Sequence, residues 1–246
     1  MAICSGLGRV FMSKEIFRDE DSNAAYANGN FTSLDAEMEI DEGYSEVMDF
    51  VEHLFITIFD ILYKNCEKEL EIVRKEYPFT PLKYSTKTLR LTFQEGVQML
   101  KDAGVEIDPM EELNTEAKRK LGQLVLEKYD TEFYILHRLP LTDRPFYTMP
   151  CEDDLDYSNS FDAFVRGEEI ITGGEHINEH ELLSDSAEAC GVELKTISAY
   201  LDSFKYGVRP HGGFGAGLNR VVMLFLGMDN IQETSLVPCD LHGHAL

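Results

Sequence analysis

The ten residues from Phe31 to Ile40 alternate without a break. Thr32, Leu34, Ala36, Met38 and Ile40 fall on one face, and Phe31, Ser33, Asp35, Glu37 and Glu39 on the other. Period-two alternation marks an extended strand whose two faces meet different surroundings. Such a strand must bury its apolar face and turn a carboxylate-lined face to water or to a ligand. Residues 9–20 supply a neighbour, since Val10, Met12 and Ile16 alternate into Arg18 and Glu20, placing the last two on a common side. Asp21 to Asn30, with its Asp, Ser, three Asn and Gly, reads as the loop between them.

Helical periods follow. Val47, Val51, Leu54, Ile58 and Leu62 repeat at helical spacing, predicting one long helix from about Tyr44 to Glu76, ended by Pro78 and Pro81. Further helices are expected over 92–103, 116–129, 180–190 and 194–206. Strands are expected over 133–139, 146–150 and 160–172. Strands come early and late with helices between and no regular βαβ alternation. The fold class is therefore α+β, an antiparallel sheet with helices packed on one face.

The chain has 246 residues, 43% hydrophobic, with 15 Phe and 11 Tyr, enough for a real core. Its formal net charge of -23 opposes free-standing nucleic-acid binding, which draws on Lys and Arg at phosphates. Five widely spaced cysteines form no C-x-x-C pair, so neither a zinc site nor a disulfide framework is expected. A reducing compartment, hence a cytoplasmic protein with no membrane association, fits best. The most apolar run, 54–63, is too short to span a bilayer and contains Asp60.

Three segments carry chemistry. Arg209 to Gly217 holds glycines at 212, 213, 215 and 217 and runs into an apolar helix with Arg220 in its first turn. Such a glycine turn lets backbone approach a flat ligand, and the arginine fork suits phosphate. Arg18, Glu20 and Phe31 flank the first loop, where the arginine can meet a phosphate and the ring can stack on a base. Glu168 and Glu169 suit Mg2+, which takes one or two carboxylates plus substrate phosphates. In a straight strand 169 and 172 face opposite ways, so a bulge or turn is required if both serve one site, and Gly173 and Gly174 favour one. His211 reads as shaping the approach to the glycines. No Ser-His-Asp or Cys-His arrangement is present.

Gly215-Ala-Gly217-Leu218-Asn219-Arg220 before an apolar helix resembles motif 3 of class II aminoacyl-tRNA synthetases. Phe17-Arg18-Asp19-Glu20 with the following loop and strand resembles motif 2. Tyr157 to Asp162 and Arg166 to Ile170 resemble the segment by which the aspartyl members hold metal and amino acid. The chain is similar, over nearly its whole length, to the catalytic core of eukaryotic-type cytosolic aspartyl-tRNA synthetases, and residues 1–246 are expected to form that one domain. The resemblance implies an ATP-dependent ligase that activates an amino acid to an aminoacyl-adenylate for transfer to tRNA. It implies Arg18 and Arg220 as the catalytic arginines. It implies Arg18, Glu20, Phe31, Glu169, Gly217 and Arg220 for ATP, Glu175 and His176 for the amino acid, and Asp35, Glu169 and Thr172 for Mg2+. The partners implied are ATP, an amino acid, tRNA more weakly than in the family, and a second copy or a partner synthetase chain.

Departures accompany the resemblance. The chain is expected to begin just before motif 2, without motif 1 or the anticodon-binding barrel. Tyr26, Ala27 and Asn30 stand where the family has Arg, His and an acid, and no Lys or Arg occurs from Asp19 to Tyr63. Glu175-His176 replaces Gln-Arg, whose arginine grips the substrate carboxylate. Asn219 replaces Glu, and Pro238 to Leu241 replaces Pro-Arg-Asp-Pro. Three readings follow: a synthetase-type ligase, an adenylate-forming paralogue with another amino acid or acceptor, or a non-catalytic nucleotide-binding protein on the same fold.

Overall fold

The computed structural model describes residues 1–17 and 30–235. Arg18, Glu20, Tyr26, Ala27 and the segment from Pro238 to Leu241 lie outside the described residues. Among the described residues, seven strands form one sheet in the order β1-β2-β7-β6-β5-β4-β3. The first two, β1 (Arg9–Phe17) and β2 (Asn30–Glu39), pair antiparallel from Arg9–Met38 to Phe17–Asn30. The antiparallel run continues through β7 (His211–Gly217), β6 (Glu168–His176), β5 (Ser160–Val165) and β4 (Phe133–His137). Only β3 (Leu89–Thr92), a short edge strand that carries too few residues to show a period, is parallel to its neighbour.

The alternation of β2 decides its placement. Met38 and Ile40 are buried in the main core, with Leu34 and Ala36 packed against it, while Phe31, Ser33, Asp35 and Glu37 line a cavity on the opposite face. Helix α1 (Ser45–Asn65) lays Val47, Val51, Phe55 and Phe59, all fully buried, across the core face. Helix α7 (Leu218–Phe225) adds Val221, Leu224 and Phe225 to the same core.

Helices occupy both faces of the sheet, not one. On the cavity face, α3 (Phe93–Asp102) and α4 (Thr115–Tyr129) cover the β3-β4-β5 half, packing Val97, Leu100, Leu121 and Val125 on Tyr134, Leu136 and Phe164. A capping box starts α3: Glu95 N–H donates to Thr92 Oγ1 at 3.2 Å, and Thr92 N–H to Glu95 Oε2 at 2.7 Å. Helices α5 (His180–Ala189) and α6 (Ser198–Asp202) form a small separate cluster with Ile177, Leu183, Leu201 and Phe204. The β2-β7-β6 half of the cavity face is left open.

Four other expectations are corrected. The long helix breaks at Cys66 and resumes as α2 (Glu67–Glu76), which buries no residue, because the apolar stripe ends at Leu62. The strand over 160–172 is a hairpin: Arg166 and Gly167 take φ of 53° and 79°, reversing the chain between β5 and β6. Residues 146–150 make only isolated bridges, Thr148 to His176 and Pro150 to Ser158. The helix over 194–206 is confined to α6.

Helix α4 presses directly on that hairpin. A Cβ on Gly122 would lie 2.5 Å from Gly167 Cα and 2.8 Å from its nitrogen. In an exposed helix, alanine in place of glycine stabilises by about 1 kcal/mol. Here backbone faces backbone and must separate, so Gly122→Ala is expected to destabilise by about 1–3 kcal/mol. Urea unfolding checks the sign: a midpoint raised by the substitution would mean that α4 does not rest on the hairpin.

Candidate active site

Strand β6 builds the site through one irregularity. Ala163 pairs with Ile171 but Phe164 pairs with Glu169, so Ile170 is an extra residue. Ile170 and Ile171, adjacent in sequence, are both buried in the same core. That is the geometry of a bulge. It brings Glu169 and Thr172 to the cavity face. The required irregularity thus lies at Ile170, not at Gly173 and Gly174.

The glycine cluster is a strand, not a turn. Gly213, Gly215 and Gly217 alternate along β7 with Phe214 and Ala216, which face the core. The three glycines floor a cavity of ≈ 470 Å³. A side chain at Gly213 would overlap the carbonyl of Ala36 and the carboxyl of Glu37. Gly217 caps α7, whose first turn carries Arg220 to the wall of the cavity. One Arg220 guanidinium nitrogen donates to the backbone oxygen of Glu169 at 3.1 Å. Asn219 turns the other way and accepts from Thr32 N–H at 2.8 Å, tying α7 to β2.

Phe31, Asp35, Glu169, Thr172, Glu175, His176, Gly217 and Arg220 all contribute to this one cavity. Asp35 and Thr172 stand on either side of Gly215 in the same row, and Ser33 Oγ donates to Asp35 at 2.7 Å. Asp35 is not part of the tightest carboxylate group. Oxygens of Glu112, Asp162 and Glu169 all lie within 4.8 Å of one another. Asp162 is buried, and its carboxyl pKa is raised by burial and by Glu169 against the pull of Arg144. One Arg144 nitrogen reaches Asp162 at 3.1 Å and Thr172 Oγ1 at 3.2 Å. Lys118, on α4, donates to Glu112 at 2.6 Å and Glu169 at 2.9 Å.

At the far end of the cavity His176 and Glu37 approach within 3.8 Å, beyond hydrogen-bond range. Burial lowers the His176 pKa to about 3 and raises the Glu37 carboxyl to about 7, so the imidazole is neutral at pH 7. The rings of Tyr147 and His211 stand edge-on to His176. His211 is buried beside it, its Nδ1 3.0 Å from the carbonyl of Arg209, a local contact within the approach to the glycines. Glu175 alternates onto the core face of the sheet and accepts from Asn159 Nδ2 at 2.9 Å. It therefore turns its carboxylate away from His176.

The sequence reading singled out none of Arg144, Lys118 and Glu112, and placed Glu37 only on the carboxylate-lined face of its strand. Asp162 had a signal, since Ser160, Asp162 and Phe164 alternate with Phe161, Ala163 and Val165. Lys118 and Glu112 had none, because charged residues at a helix start are ordinary surface.

Residues 1–240 match the family model for class II tRNA synthetases (D, K and N). The chain is 60% identical over 240 residues to aspartate–tRNA ligase 2, cytoplasmic, of Arabidopsis thaliana, covering 98% of this chain and 43% of that protein. It is 44% identical to the human aspartate–tRNA ligase, cytoplasmic, covering 98% and 48%. The solved aspartyl tRNA synthetase of Entamoeba histolytica superposes with a TM-score of 0.96 at 43% identity, over 100% of this chain and 50% of that one. The chain spans about half the length of these relatives. With a mostly antiparallel sheet that carries the glycine-floored cavity, and with that extent of similarity, the chain belongs to the class II tRNA synthetases (D, K and N), alongside their aspartyl members.

Proposed function

We propose that residues 1–246 form the catalytic domain of an aspartyl-type aminoacyl-tRNA ligase. It uses ATP to activate the amino acid as an adenylate and then passes it to tRNA. The observation that carries this reading is the cavity itself. One end presents an aromatic ring, an arginine and carboxylates, Phe31, Arg220 and Glu169, and the other the uncharged His176 wall. The relatives' names place them in the cytoplasm, and among the described residues no helix is long and apolar enough to cross a membrane. A cytoplasmic protein paired with a second copy or a partner synthetase chain belongs to the same proposal.

In activation an oxygen of the amino-acid carboxylate attacks the α-phosphorus of ATP, the bond to the bridging oxygen breaks, and pyrophosphate leaves. No protein nucleophile is required, so positioning and charge supply the rate. Phe31 stacks on the adenine, and Glu20 accepts from its amino group. Arg18 and Arg220 hold phosphate oxygens, Arg220 fixed in orientation by the Glu169 carbonyl. Gly213, Gly215 and Gly217 admit the substrate against bare backbone. Asp35, Glu169 and Thr172, oxygen donors on the cavity face, would hold Mg2+. When bound, Mg2+ neutralises charge on the phosphate oxygens. Pyrophosphate exchange dependent on aspartate tests the reading, and no exchange with any amino acid would remove it.

Arg220→Ala removes a charge-assisted phosphate contact and is expected to weaken ATP binding by about 1.5–3 kcal/mol, measured by calorimetry. An unchanged affinity would take Arg220 out of the nucleotide site.

The amino-acid end gives a second expectation. A substrate carboxylate calls for a fixed cation, and the buried His176 is neutral. His176→Arg is therefore expected to lower the KM for aspartate in pyrophosphate exchange. Glu175→Gln, on the other face, is expected to leave it unchanged. A fall in KM from the Glu175 change alone would show that its carboxylate reaches the pocket.

A further inference from the structure

Arg144 and Asp162 form an ion pair at 3.1 Å in the wall of the cavity, with side chains 9% and 3% exposed. A pair so deeply buried adds little net stability, because desolvation of both ions offsets their attraction. The placement is also imperfect for the arginine, whose Nε is buried and finds no partner among the described residues. An orphaned buried donor is a cost. The position therefore answers to something other than stability, and Thr172 shows what. The nitrogen that holds Asp162 also donates to Thr172 Oγ1 at 3.2 Å.

The hydroxyl of Thr172 has one proton to give and two lone pairs. Arg144 takes one lone pair. The proton goes to Asp162, whose carboxyl pKa is raised by burial and by Glu169 and lowered by Arg144 and by the hydrogen bond from Thr172. Asp162 and Thr172 are direct partners across β5 and β6, so this contact is built into the sheet. Among the described residues, one lone pair is left. Thr172 is exposed in the cavity, on the far side of Gly215 from Asp35 in the same row.

We propose that Arg144 and Asp162 are positioning residues, which together fix the rotation of the Thr172 hydroxyl so that its remaining lone pair faces the cavity as an oxygen ligand for Mg2+. The inference rests on the reading of Asp35, Glu169 and Thr172 as the Mg2+ ligands. Arg144 and Asp162 act through Thr172 and are not ligands themselves. A free hydroxyl can turn its proton toward the cavity, where it repels a cation. With Asp162 as a fixed acceptor and Arg144 as a fixed donor, only the lone pair is presented. The arginine is itself held. Pro145 restricts Arg144 to extended backbone, found at φ -96° and ψ 152°, and Arg144 N–H donates to the carbonyl of Leu141 at 3.0 Å. A lysine ammonium keeps the charge beside Asp162 but lacks the rigid planar fork that reaches Asp162 and Thr172 together.

The test reads the metal's contribution to ATP binding, as the ratio of ATP affinities in Mn2+ and in EDTA, by calorimetry on the whole chain. Thr172→Val removes the hydroxyl at nearly constant shape and is expected to cut that ratio about tenfold. Thr172→Ser, which keeps the hydroxyl, is expected to preserve it. Arg144→Lys is expected to cut it about tenfold as well, the usual effect of losing an outer partner of a metal ligand. In the Thr172→Val background Arg144→Lys is expected to do nothing more, since no hydroxyl remains to be aimed. A purely structural Arg144 would instead add its loss to that of Thr172→Val and would weaken ATP binding in EDTA too. An unchanged ratio in Arg144→Lys, or additive losses in the double variant, overturns the proposal. If Arg144→Lys does not fold, Arg144→Gln with Asp162→Asn exchanges the buried ion pair for a neutral one, and an unchanged ratio there overturns it equally. The underlying reading fails differently. ATP binding that needs Arg220, with a ratio insensitive to Thr172 and Arg144, leaves the nucleotide site standing and removes the positioning role. No ATP binding in either buffer removes both.

Discussion

The bulge at Ile170 is the constraint on which the site depends. A strand without it would keep strict alternation, and one of Glu169 and Thr172 would turn into the core. With it, two consecutive isoleucines enter the same apolar layer, and Glu169, Thr172 and His176 share the cavity face. The apolar cost of a misplaced register holds the bulge in place. Slipping β6 by one residue exposes an isoleucine worth about 1.5–3 kcal/mol of burial and drives a carboxylate inward. Core packing thus fixes the geometry of the polar wall behind it.

The second support is close backbone approach. The hairpin between β5 and β6 turns on Arg166 and Gly167, and α4 meets it at Gly122 with no side chain between. This contact brings Lys118 and Arg119 over the strand start, where they pair with Glu169 and Glu168. Arg166 fastens the other side, donating to the carbonyls of Leu224 and Thr80 and pairing with Glu132. The end of α7 and the hairpin are therefore one unit, and the arginine at the start of α7 inherits its position from it. Arg144 performs the same service inside the cavity. Its pair with Asp162 is almost wholly buried, so losing either partner strands an uncompensated charge.

Much of this was legible in the chain. The two faces of β2 were written in the alternation from Phe31 to Ile40, and the structure divides them as read. The need for an irregularity between Glu169 and Thr172 followed from strand geometry alone. Its location did not, because which residue of Ile170-Ile171 is extra depends on pairing with β5. The glycine segment, read as a turn with only its entry in the sheet, is a strand from His211 to Gly217. Glycine composition signals loops, yet here Gly213 and Gly215 are central-strand residues whose missing side chains make room for Glu37 and the cavity. Local composition cannot separate a glycine needed for φ from one needed for space. The break at Cys66 and the edge strand β3 were hidden for a related reason, since one helix pattern runs across the break and four residues show no period. Glu112 and Lys118 come beside the site through tertiary packing from segments that carry no motif.

The charge distribution of the cavity then follows from solvation. At the Glu169 end, Asp162 and Glu169 sit close together and require cations, and Arg144 and Lys118 supply them from two directions. At the far end, Glu37 and His176 lie nearly in contact without a bond, and burial pushes each toward its neutral form. An arginine at 176 would stay charged under the same burial, drawing Glu37 toward its anion while still presenting a fixed charge to the cavity. A neutral imidazole lacks that fixed charge. The two ends thus solve the same problem differently. One keeps buried ions by pairing them, and the other shifts each group toward its neutral form. On the proposed function, chemistry at a phosphate calls for the first solution, because charge accumulates there as the reaction proceeds. On the same proposal, recognition of an amino-acid side chain tolerates the second, because hydrogen bonds from uncharged groups still discriminate shape and polarity.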